Sequence, residues 1–332
     1  MSGPAPEVKS VWRLIVLALG FFFLYMPIIV LIVYSFNDSQ LVTVWSKFSL
    51  RWYKELFVGV QQQSEAIRSG VLLSLTIGFF SASFAVVLGT ISAFVLTRFD
   101  SFRTKTLFSF LTTAPMVLPD VIIGLALMLL FVALENMTGG LYDWLNGMKV
   151  EEGTLWSGIH SALTYCASKI AGWPEKGAFT IWLAMVTLTS AYVSVVVRTR
   201  LQEMDNSIEE AAMDLGATPL KTFFVITIPS LFPAILSGWL LAFTISMDDV
   251  VITQFVSGPG AKTLPIVVFS SVRRGVSPTI NALASIIVLV VSVCTFIVWY
   301  TMHRKDKKRQ REYGMMSVRQ KAEREKSDTP KA

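Results

Sequence analysis

Three aspartates interrupt long apolar stretches of this 332-residue chain: Asp120, Asp248 and Asp249. A bare charge at the centre of a lipid bilayer costs about 2.5 kcal/mol or more, so each carboxylate there needs a physical reason. One reason is chemistry, because fixed negative groups offset the charge of a cation that crosses the membrane. Asp120 has a second possible reason. It follows Pro119 and could cap a helix that restarts there, where a carboxylate suits the positive end of the helix dipole.

Helical spacing separates the roles of the two adjacent aspartates. Neighbouring residues on an α-helix point about 100° apart, so both cannot face one pathway squarely. Asp248 shares one stripe with Ser237, Leu241 and Thr244. Asp249 shares its face with Ala242 and Ser246. We therefore predict that Asp120 and Asp248 hold the charged groups of a cation in passing, and that Asp249 is a secondary member of the same pathway, through helix packing or through contact with the residues that line it.

A polar stretch near residues 203–217 separates two apolar blocks. A short helix is expected from Ser207 to Leu215, because Gly216 is a natural C-terminal stop. By itself this stretch could be an amphipathic connector between two membrane helices.

The wider spacing around this stretch is specific. Nine residues separate Gly216 from the sequence Ile226-Thr227-Ile228-Pro229. Glu-Ala-Ala, three residues, Gly, nine residues and Ile-x-Leu-Pro resembles the signature of the membrane subunits of ATP-binding-cassette importers. Ile228 replaces the leucine of that signature, which is a conservative departure. The resemblance implies that the short helix contacts a partner protein through Glu209, Glu210, Ala211, Ala212, Asp214, Leu215 and Gly216. Its small side chains would let it lie deep in a groove, and a carboxylate could meet a basic residue of the partner.

The chain has no phosphate-binding loop of its own. The string from Gly258 to Thr263 lacks the second glycine before Lys262, and it does not follow a strand. We therefore predict that the chain is not an enzyme and binds no cofactor, and that a separate ATPase, which uses ATP and Mg²⁺, docks on the 203–217 stretch. A rigid short helix there could transmit a rotation from the ATPase to the spans around it.

Cysteine and histidine usage argues against a metal site. The chain has two residues of each type and no Cys-x-x-Cys pair. Cys294 lies in an apolar span and Cys166 in a loop, so no disulfide is expected between them.

The composition is that of a multi-pass membrane protein. Hydrophobic residues make up 53% of the chain and charged residues 16%, against about 25% charged in a typical soluble domain. A helix needs about 20 apolar residues to cross a bilayer. The sequence predicts an all-α protein with a permease domain over 12–302 and six spans, at 14–34, 70–97, 106–134, 178–197, 231–252 and 280–300.

Charge sets the expected topology. Residues 303–332 form a basic tail with 11 Lys or Arg and 5 Asp or Glu, which favours the cytoplasmic side and contact with anionic membrane lipids. Nucleic acid is not expected as a partner, because no folded basic module accompanies the tail. Six spans then place the N-terminal segment 1–11 on the same side. The inner face is expected to carry the basic group Arg98, Arg103 and Lys105. The outer face would carry Arg273 and Arg274, which is an exception to the preference of basic residues for the cytoplasmic side.

The second outer loop, residues 135–176, is longer than the resemblance to importer permeases leads us to expect, which implies a periplasmic insertion near 137–176. Its stretch from Thr154 to Ile170 has helical spacing of the apolar residues Ile159, Leu163, Cys166 and Ile170. We predict a surface helix there, with a disordered insertion as the alternative.

Further motifs outside the polar stretch resemble the permeases of bacterial putrescine and spermidine importers, most closely the putrescine type. They are Tyr34-Ser35-Phe36-Asn37, Leu41-Val42-Thr43-Val44-Trp45, Arg51-Trp52-Tyr53, Pro119-Asp120, the stretches 238–244 and 246–251, Phe255 to Gly260, and Gly275 to Ala284. The resemblance implies the type I ABC importer permease fold in the bacterial inner membrane. It also implies a second homologous permease, two ATPase subunits and a periplasmic polyamine-binding protein as partners. The polyamine substrate class rests mainly on this resemblance.

Two other functions stay open from the sequence. The first is an importer permease for another organic cation, an amino acid or an iron complex. The second is a secondary transporter or channel, for which the 203–217 stretch would be accidental. No internal repeat supports that second alternative.

Trp52 is the remaining candidate site residue. It lies in the first outer loop, where aromatic residues often anchor a protein at the membrane interface. The functional alternative is a ring at the pathway mouth that receives an alkylammonium group, since a cation over an indole gains about 0.5–2 kcal/mol.

Overall fold

A computed structural model describes residues 11–41, 44–59, 62–99, 103–148, 155–205, 207–274, 277–297 and 300. The predicted basic tail and almost all of the N-terminal segment lie outside these residues. Within them the regular structure is helical, apart from one isolated β-bridge. The helices are α1 Val11–Ser35, α2 Arg51–Val58, α3 Gln62–Arg98, α4 Lys105–Val117, α5 Asp120–Gly147, α6 Leu155–Ile170, α7 Ala178–Glu203, α8 Ser207–Asp214, α9 Pro219–Thr222, α10 Ile228–Asp248, α11 Val251–Val256, α12 Leu264–Arg274 and α13 Pro278–Ile297.

The prediction of six membrane spans is confirmed in number. Among the described residues, six stretches are long and apolar enough to cross a bilayer: Trp12–Ser35, Gln62–Arg98, Asp120–Gly147, Ala178–Glu203, Pro219–Asp248 and Pro278–Ile297. Chain contacts divide the protein into two compact units. One unit contains α1, α2 and α13, and the other contains α4 to α12 with nearly all of α3.

The third and fifth spans differ from the sequence prediction. The expected span 106–134 is split, because α4 ends at Val117 and α5 begins only at Asp120. Pro119 has no N–H and disfavours the helical conformation of the residue before it, so Leu118 is extended. The spanning helix is α5, which continues to Gly147 and takes in the start of the predicted outer loop.

The expected fifth span, 231–252, is displaced in the opposite direction. Its spanning stretch starts earlier, at Pro219, and ends at Asp248, because Asp249 is extended. Pro229 lies just after a π-helical turn, Phe223–Thr227. A proline cannot donate to the carbonyl of the residue four before it, and a widened turn accommodates that missing bond.

Helix α7 forms the centre of the larger unit. Most of its residues from Thr180 to Leu201 are buried, between α10, α4 and α11. Gly89 of α3 lies so close to Val193 of α7 that a Cβ at this glycine would approach it at 2.8 Å. Hydroxyl groups add polar contacts between helices, such as Ser81 Oγ to Ser246 Oγ at 3.0 Å, in the manner common in membrane bundles.

The predicted surface helix in the second outer loop is present as α6, so the disordered alternative is wrong over its length. It packs against α5, and His160 Nε2–H donates to the carbonyl oxygen of Leu145 at 2.8 Å. Ala167 faces inward, whereas the predicted apolar stripe, which includes Cys166, is exposed.

The smaller unit is organised by Asn37 and Trp52. The Asn37 side chain bonds to the carbonyl of Val44 at 2.6 Å and accepts from the backbone N–H of Ser46 at 2.9 Å. The Trp52 indole N–H donates to the Asn37 carbonyl at 2.7 Å. Two separate motifs of the sequence, residues 34–37 and 51–53, are therefore one folded structure.

Cysteine labelling tests the topology. An impermeant maleimide applied to spheroplasts should label Cys166, which is exposed on α6, and spare Cys294, which lies within the α13 span. The Cys166→Ser variant is the control and should lose the label. Labelling that persists in this variant, or a reporter fused after Lys331 that is active only in the periplasm, would contradict the topology.

Trp52→Ala should destabilise the smaller unit. The side chain is 4% exposed, and truncating a buried tryptophan typically costs about 3–5 kcal/mol. Trp52→Phe keeps most of the volume but leaves the Asn37 carbonyl without its donor, at a cost of about 1–2 kcal/mol. Thermal unfolding of the purified protein measures the difference. Trp45, which is 46% exposed, provides the control, since Trp45→Ala should change stability far less. Equal effects of the two alanine variants would contradict the packing role.

Candidate functional site

Two helix breaks in the larger unit hold all three predicted aspartates. The break between α4 and α5 is followed directly by Asp120, the first residue of α5. The break between α10 and α11 contains Asp248, the last residue of α10, and Asp249, which is extended. Broken helices at membrane depth occur where protein covers the backbone or where they line a cavity.

Close packing holds the elements after these breaks together. Helix α5 packs against α11. A Cβ built on Gly124 would lie 2.6 Å from the Phe255 ring and 3.3 Å from the Ile252 Cα, so only glycine permits this approach.

Asp249 stabilises the start of α11. Its Oδ1 accepts from the Ile252 N–H at 3.3 Å, and its Oδ2 accepts from the Thr253 N–H and hydroxyl at 2.7 and 2.6 Å. This is the geometry of an N-terminal helix cap. The capping geometry is consistent with the secondary, structural role predicted for Asp249.

Asp248 lies where its charge does not help the helix. It is the C-terminal residue of α10, where a carboxylate meets the partially negative end of the helix dipole. It is exposed together with its predicted stripe of Ser237, Leu241 and Thr244, whereas Gly238, Ala242 and Ser246 are buried. The stability of α10 therefore does not explain why position 248 is an aspartate.

Asp120 is also exposed. Within the described residues no side-chain hydrogen bond caps the start of α5. Instead, the Pro119 carbonyl accepts from the N–H groups of Ile122 and Ile123 at 2.9 and 3.2 Å. The capping role considered for Asp120 is therefore limited to the favourable position of its charge in the first turn.

Trp52 has little free surface for a substrate. Its side chain is 4% exposed, its N–H is bonded to Asn37, and the Arg51 guanidinium carbon lies 5.1 Å from the ring centroid. The cation-receiving role stays a prediction that this packing does not support. Membrane anchoring also requires an exposed ring, so it is equally unsupported.

At the opposite end of α10, the predicted short helix is present as α8, Ser207–Asp214. Its N-terminal turn is fixed by Asp205, whose Oδ1 accepts from the Ser207 N–H at 2.9 Å. This bond is the main reason that the pKa of Asp205 is lowered from its ordinary value.

The C-terminal end of α8 is closed by Gly216, as the sequence predicts. Gly216 has φ +88°, its N–H donates to the Met213 carbonyl at 2.9 Å, and the Ala217 N–H donates to the Ala212 carbonyl at 3.1 Å. These two bonds define a Schellman motif, which requires a left-handed residue at its centre. Thr218 and Pro219 then begin α9 at once, with Thr218 as the N-cap.

The predicted contact residues divide into an inner and an outer group. Glu209 is inside, since its side chain is 12% exposed and paired with Arg98 of α3. Ala212 is half-buried. The exposed members are Glu210, Ala211, Asp214, Gly216 and Leu215, whose side chain is 90% exposed.

Sequence reasoning missed two residues of this region. Arg98 Nε lies 3.0 Å from Glu209 Oε2, and Arg98 Nη2 donates to Oε1 at 3.1 Å. The Thr227 hydroxyl also donates to Oε1, at 2.9 Å. The signal available for Arg98 was its place at the end of a span, which indicated only an inner-face charge. Thr227 appeared only as part of the Ile226–Pro229 signature.

Comparisons with known proteins agree with this arrangement. Residues 85–308 match the family described as binding-protein-dependent transport system inner membrane component. The chain is 53% identical over 308 residues to the putrescine transport system permease protein PotI of Escherichia coli K12, covering 92% of this chain and 96% of that protein. It is 34% identical over 275 residues to the spermidine/putrescine transport system permease protein PotC of the same strain, covering 83% and 87%.

A solved structure shows the same fold. The chain matches a bacterial ABC transporter involved in the import of the acidic polysaccharide alginate, with a TM-score of 0.56 and 15% identity over 92% of this chain and 98% of that one. The fold, the α8 stretch and the sequence relatives lead to one conclusion. The chain belongs to the binding-protein-dependent transport system inner membrane components, the permease subunits of ABC importers, and is not itself an enzyme.

Proposed function

We propose that this chain forms half of the translocation pathway of an ATP-driven polyamine importer, with putrescine or spermidine as substrate. The observation that carries the substrate class is its 53% identity, over nearly its whole length, to a putrescine permease. The other half of the pathway comes from a second homologous permease. Two ATPase subunits and a periplasmic polyamine-binding protein complete the importer.

The two exposed aspartates suit a cationic substrate. A polyamine carries several ammonium groups, and each needs compensation inside an apolar membrane. Asp120 and Asp248 lie at neighbouring helix breaks with exposed carboxylates. Asp249 has a secondary part, because its oxygens already cap α11.

Helix α8 is the contact for the ATPase. The acidic Glu210 is exposed on α8 and the apolar Leu215 is exposed in the turn directly after it, a combination that suits an apolar groove bordered by a basic residue. ATP and Mg²⁺ belong to the ATPase, and this chain binds no cofactor. The contact requires α8 to be in the cytoplasm, and with six spans both termini lie on that side of the inner membrane.

Uptake by the reconstituted complex tests the substrate class. Proteoliposomes that contain both permeases, the ATPase and the binding protein should take up labelled putrescine or spermidine when ATP is supplied to the ATPase side. ATP-dependent uptake of an amino acid or an iron complex, with no polyamine uptake, would overturn the polyamine proposal and leave the importer family intact.

Asp120→Asn and Asp248→Asn should each reduce polyamine uptake by about tenfold or more, because each removes a fixed negative charge that offsets the cost of bringing an ammonium group into an apolar pathway, about 2.5 kcal/mol for a charge at full membrane depth. Complex assembly and docking of the binding protein should be unchanged. Asp143→Asn is the matched control, since Asp143 is an exposed aspartate near the far end of α5. Normal uptake by both variants would rule out the cation pathway.

Gly216→Val should block coupling without blocking membrane insertion. Gly216 has φ +88°, a region that costs an ordinary L-residue about 1–2 kcal/mol and a β-branched residue more. Gly216→Asn is the matched control, because asparagine tolerates this conformation better. Co-purification of the ATPase and polyamine uptake are measured together, and wild-type values for the valine variant would exclude the proposed role of this turn.

A further inference from the structure

Glu209 connects three elements of the larger unit through one carboxylate. Its Oε2 lies 3.0 Å from Arg98 Nε at the end of α3. Its Oε1 accepts from Arg98 Nη2 at 3.1 Å and from the Thr227 hydroxyl at 2.9 Å. Thr227 is the last residue of the π-helical turn that leads into α10. The short helix α8 is therefore tied to the ends of two spanning helices.

This contact differs from an ordinary surface ion pair. The side chains of Arg98 and Glu209 are 13% and 12% exposed. The nearby pair Arg200–Glu203 has the same 3.0 Å separation, but its side chains are 51% and 60% exposed. Exposed pairs contribute little because water and salt screen them. A buried pair with further hydrogen bonds is different, since removing one partner leaves the other charge buried and uncompensated.

Aromatic rings lie beside the ion pair and form a contact between α3 and the π-helical turn. The rings of Phe94 in α3 and Phe223 in the π-helical turn are 4.7 Å apart. A groove of about 370 Å³ opens beside the pair, with Phe94, Phe99, Met213 and Phe223 among its lining residues. The side chains of Arg98 and Glu209 are largely covered by their neighbours, and a less polar environment strengthens an electrostatic attraction.

An eight-residue helix needs such attachment. Isolated helices shorter than about 12–15 residues are marginal in water. Without an attachment, a push on α8 would be absorbed by its flanking turns instead of reaching the spans.

We propose that Arg98 and Thr227 are positioning residues for coupling: with Glu209 they form a brace that passes the displacement of α8 to α3 and α10. This inference rests on the proposed function, in which an ATPase moves α8. It assigns to the brace the transmission of that movement and not the docking of the ATPase, which belongs to the exposed side of α8.

The test uses the complete reconstituted importer with Arg98→Gln, with Thr227→Val, and with the exchanged pair Arg98→Glu/Glu209→Arg. Polyamine uptake and ATP hydrolysis are measured per assembled complex. The expected result for Arg98→Gln is a fall of about tenfold in substrate transported per ATP hydrolysed, within the usual range of coupling between sites. Thr227→Val, which keeps both charges, should lower the same ratio by a smaller factor, and the exchanged pair should recover part of the loss.

Arg200→Gln is the matched control, because it breaks the exposed pair of the same residue types and should leave the ratio at the wild-type value. A purely structural role for the brace predicts fewer assembled complexes with an unchanged ratio, and that result would overturn the inference. So would a wild-type ratio in both Arg98→Gln and Thr227→Val. Failure of the proposed function is distinguishable, because the wild-type complex itself would then show no ATP-dependent polyamine uptake.

Discussion

A lipid bilayer offers no water to a backbone that leaves helical geometry, and this constraint governs the arrangement of the larger unit. Each unsatisfied backbone group in hydrocarbon costs several kcal/mol. The chain nevertheless leaves the helix at Leu118–Pro119 and at Asp249–Val250. At the first break the Pro119 carbonyl accepts two N–H groups of the new helix, and at the second the Asp249 carboxylate does the capping. The approach of α5 to α11 at Gly124 then packs the restarted helices against each other.

These different solutions explain why three neighbouring aspartates are not equivalent. Asp249 accepts three hydrogen bonds, and its replacement by a residue that cannot cap, such as alanine, would loosen α11. Asp120 and Asp248 make no hydrogen bond through their carboxylates within the described part of the chain, and both are exposed. A carboxylate whose oxygens already accept hydrogen bonds from the backbone has few lone pairs left for a passing ammonium group. A carboxylate without such bonds keeps all its acceptor positions.

The sequence predicts what depends on local pattern. Length and hydropathy place six spans, Gly216 marks the end of α8, and helical spacing finds α6. Features that depend on distant partners are harder to predict. Arg98 and Glu209 are 111 residues apart, so neither sequence neighbourhood reveals their pairing. The predicted fifth span includes Asp249 because its neighbours are apolar. In the structure Asp249 is extended and its carboxylate caps α11, so α10 ends one residue earlier, at Asp248. The sequence predicts an accessible ring for Trp52, because the Asn37 carbonyl that accepts a hydrogen bond from its indole N–H lies in another motif.

The exposed stripe on α10 has a consequence for selectivity. Its buried face, with Gly238, Ala242 and Ser246, packs within this chain, whereas the stripe that ends at Asp248 is left uncovered by it. A carboxylate at that position needs a counter-charge, water or polar partners, because an uncompensated charge facing lipid is costly. In the proposed importer the facing surface belongs to the second permease. The spacing of acidic groups that distinguishes a short polyamine from a longer one is then a property of the pair, and Asp120 and Asp248 supply only this chain's share of it.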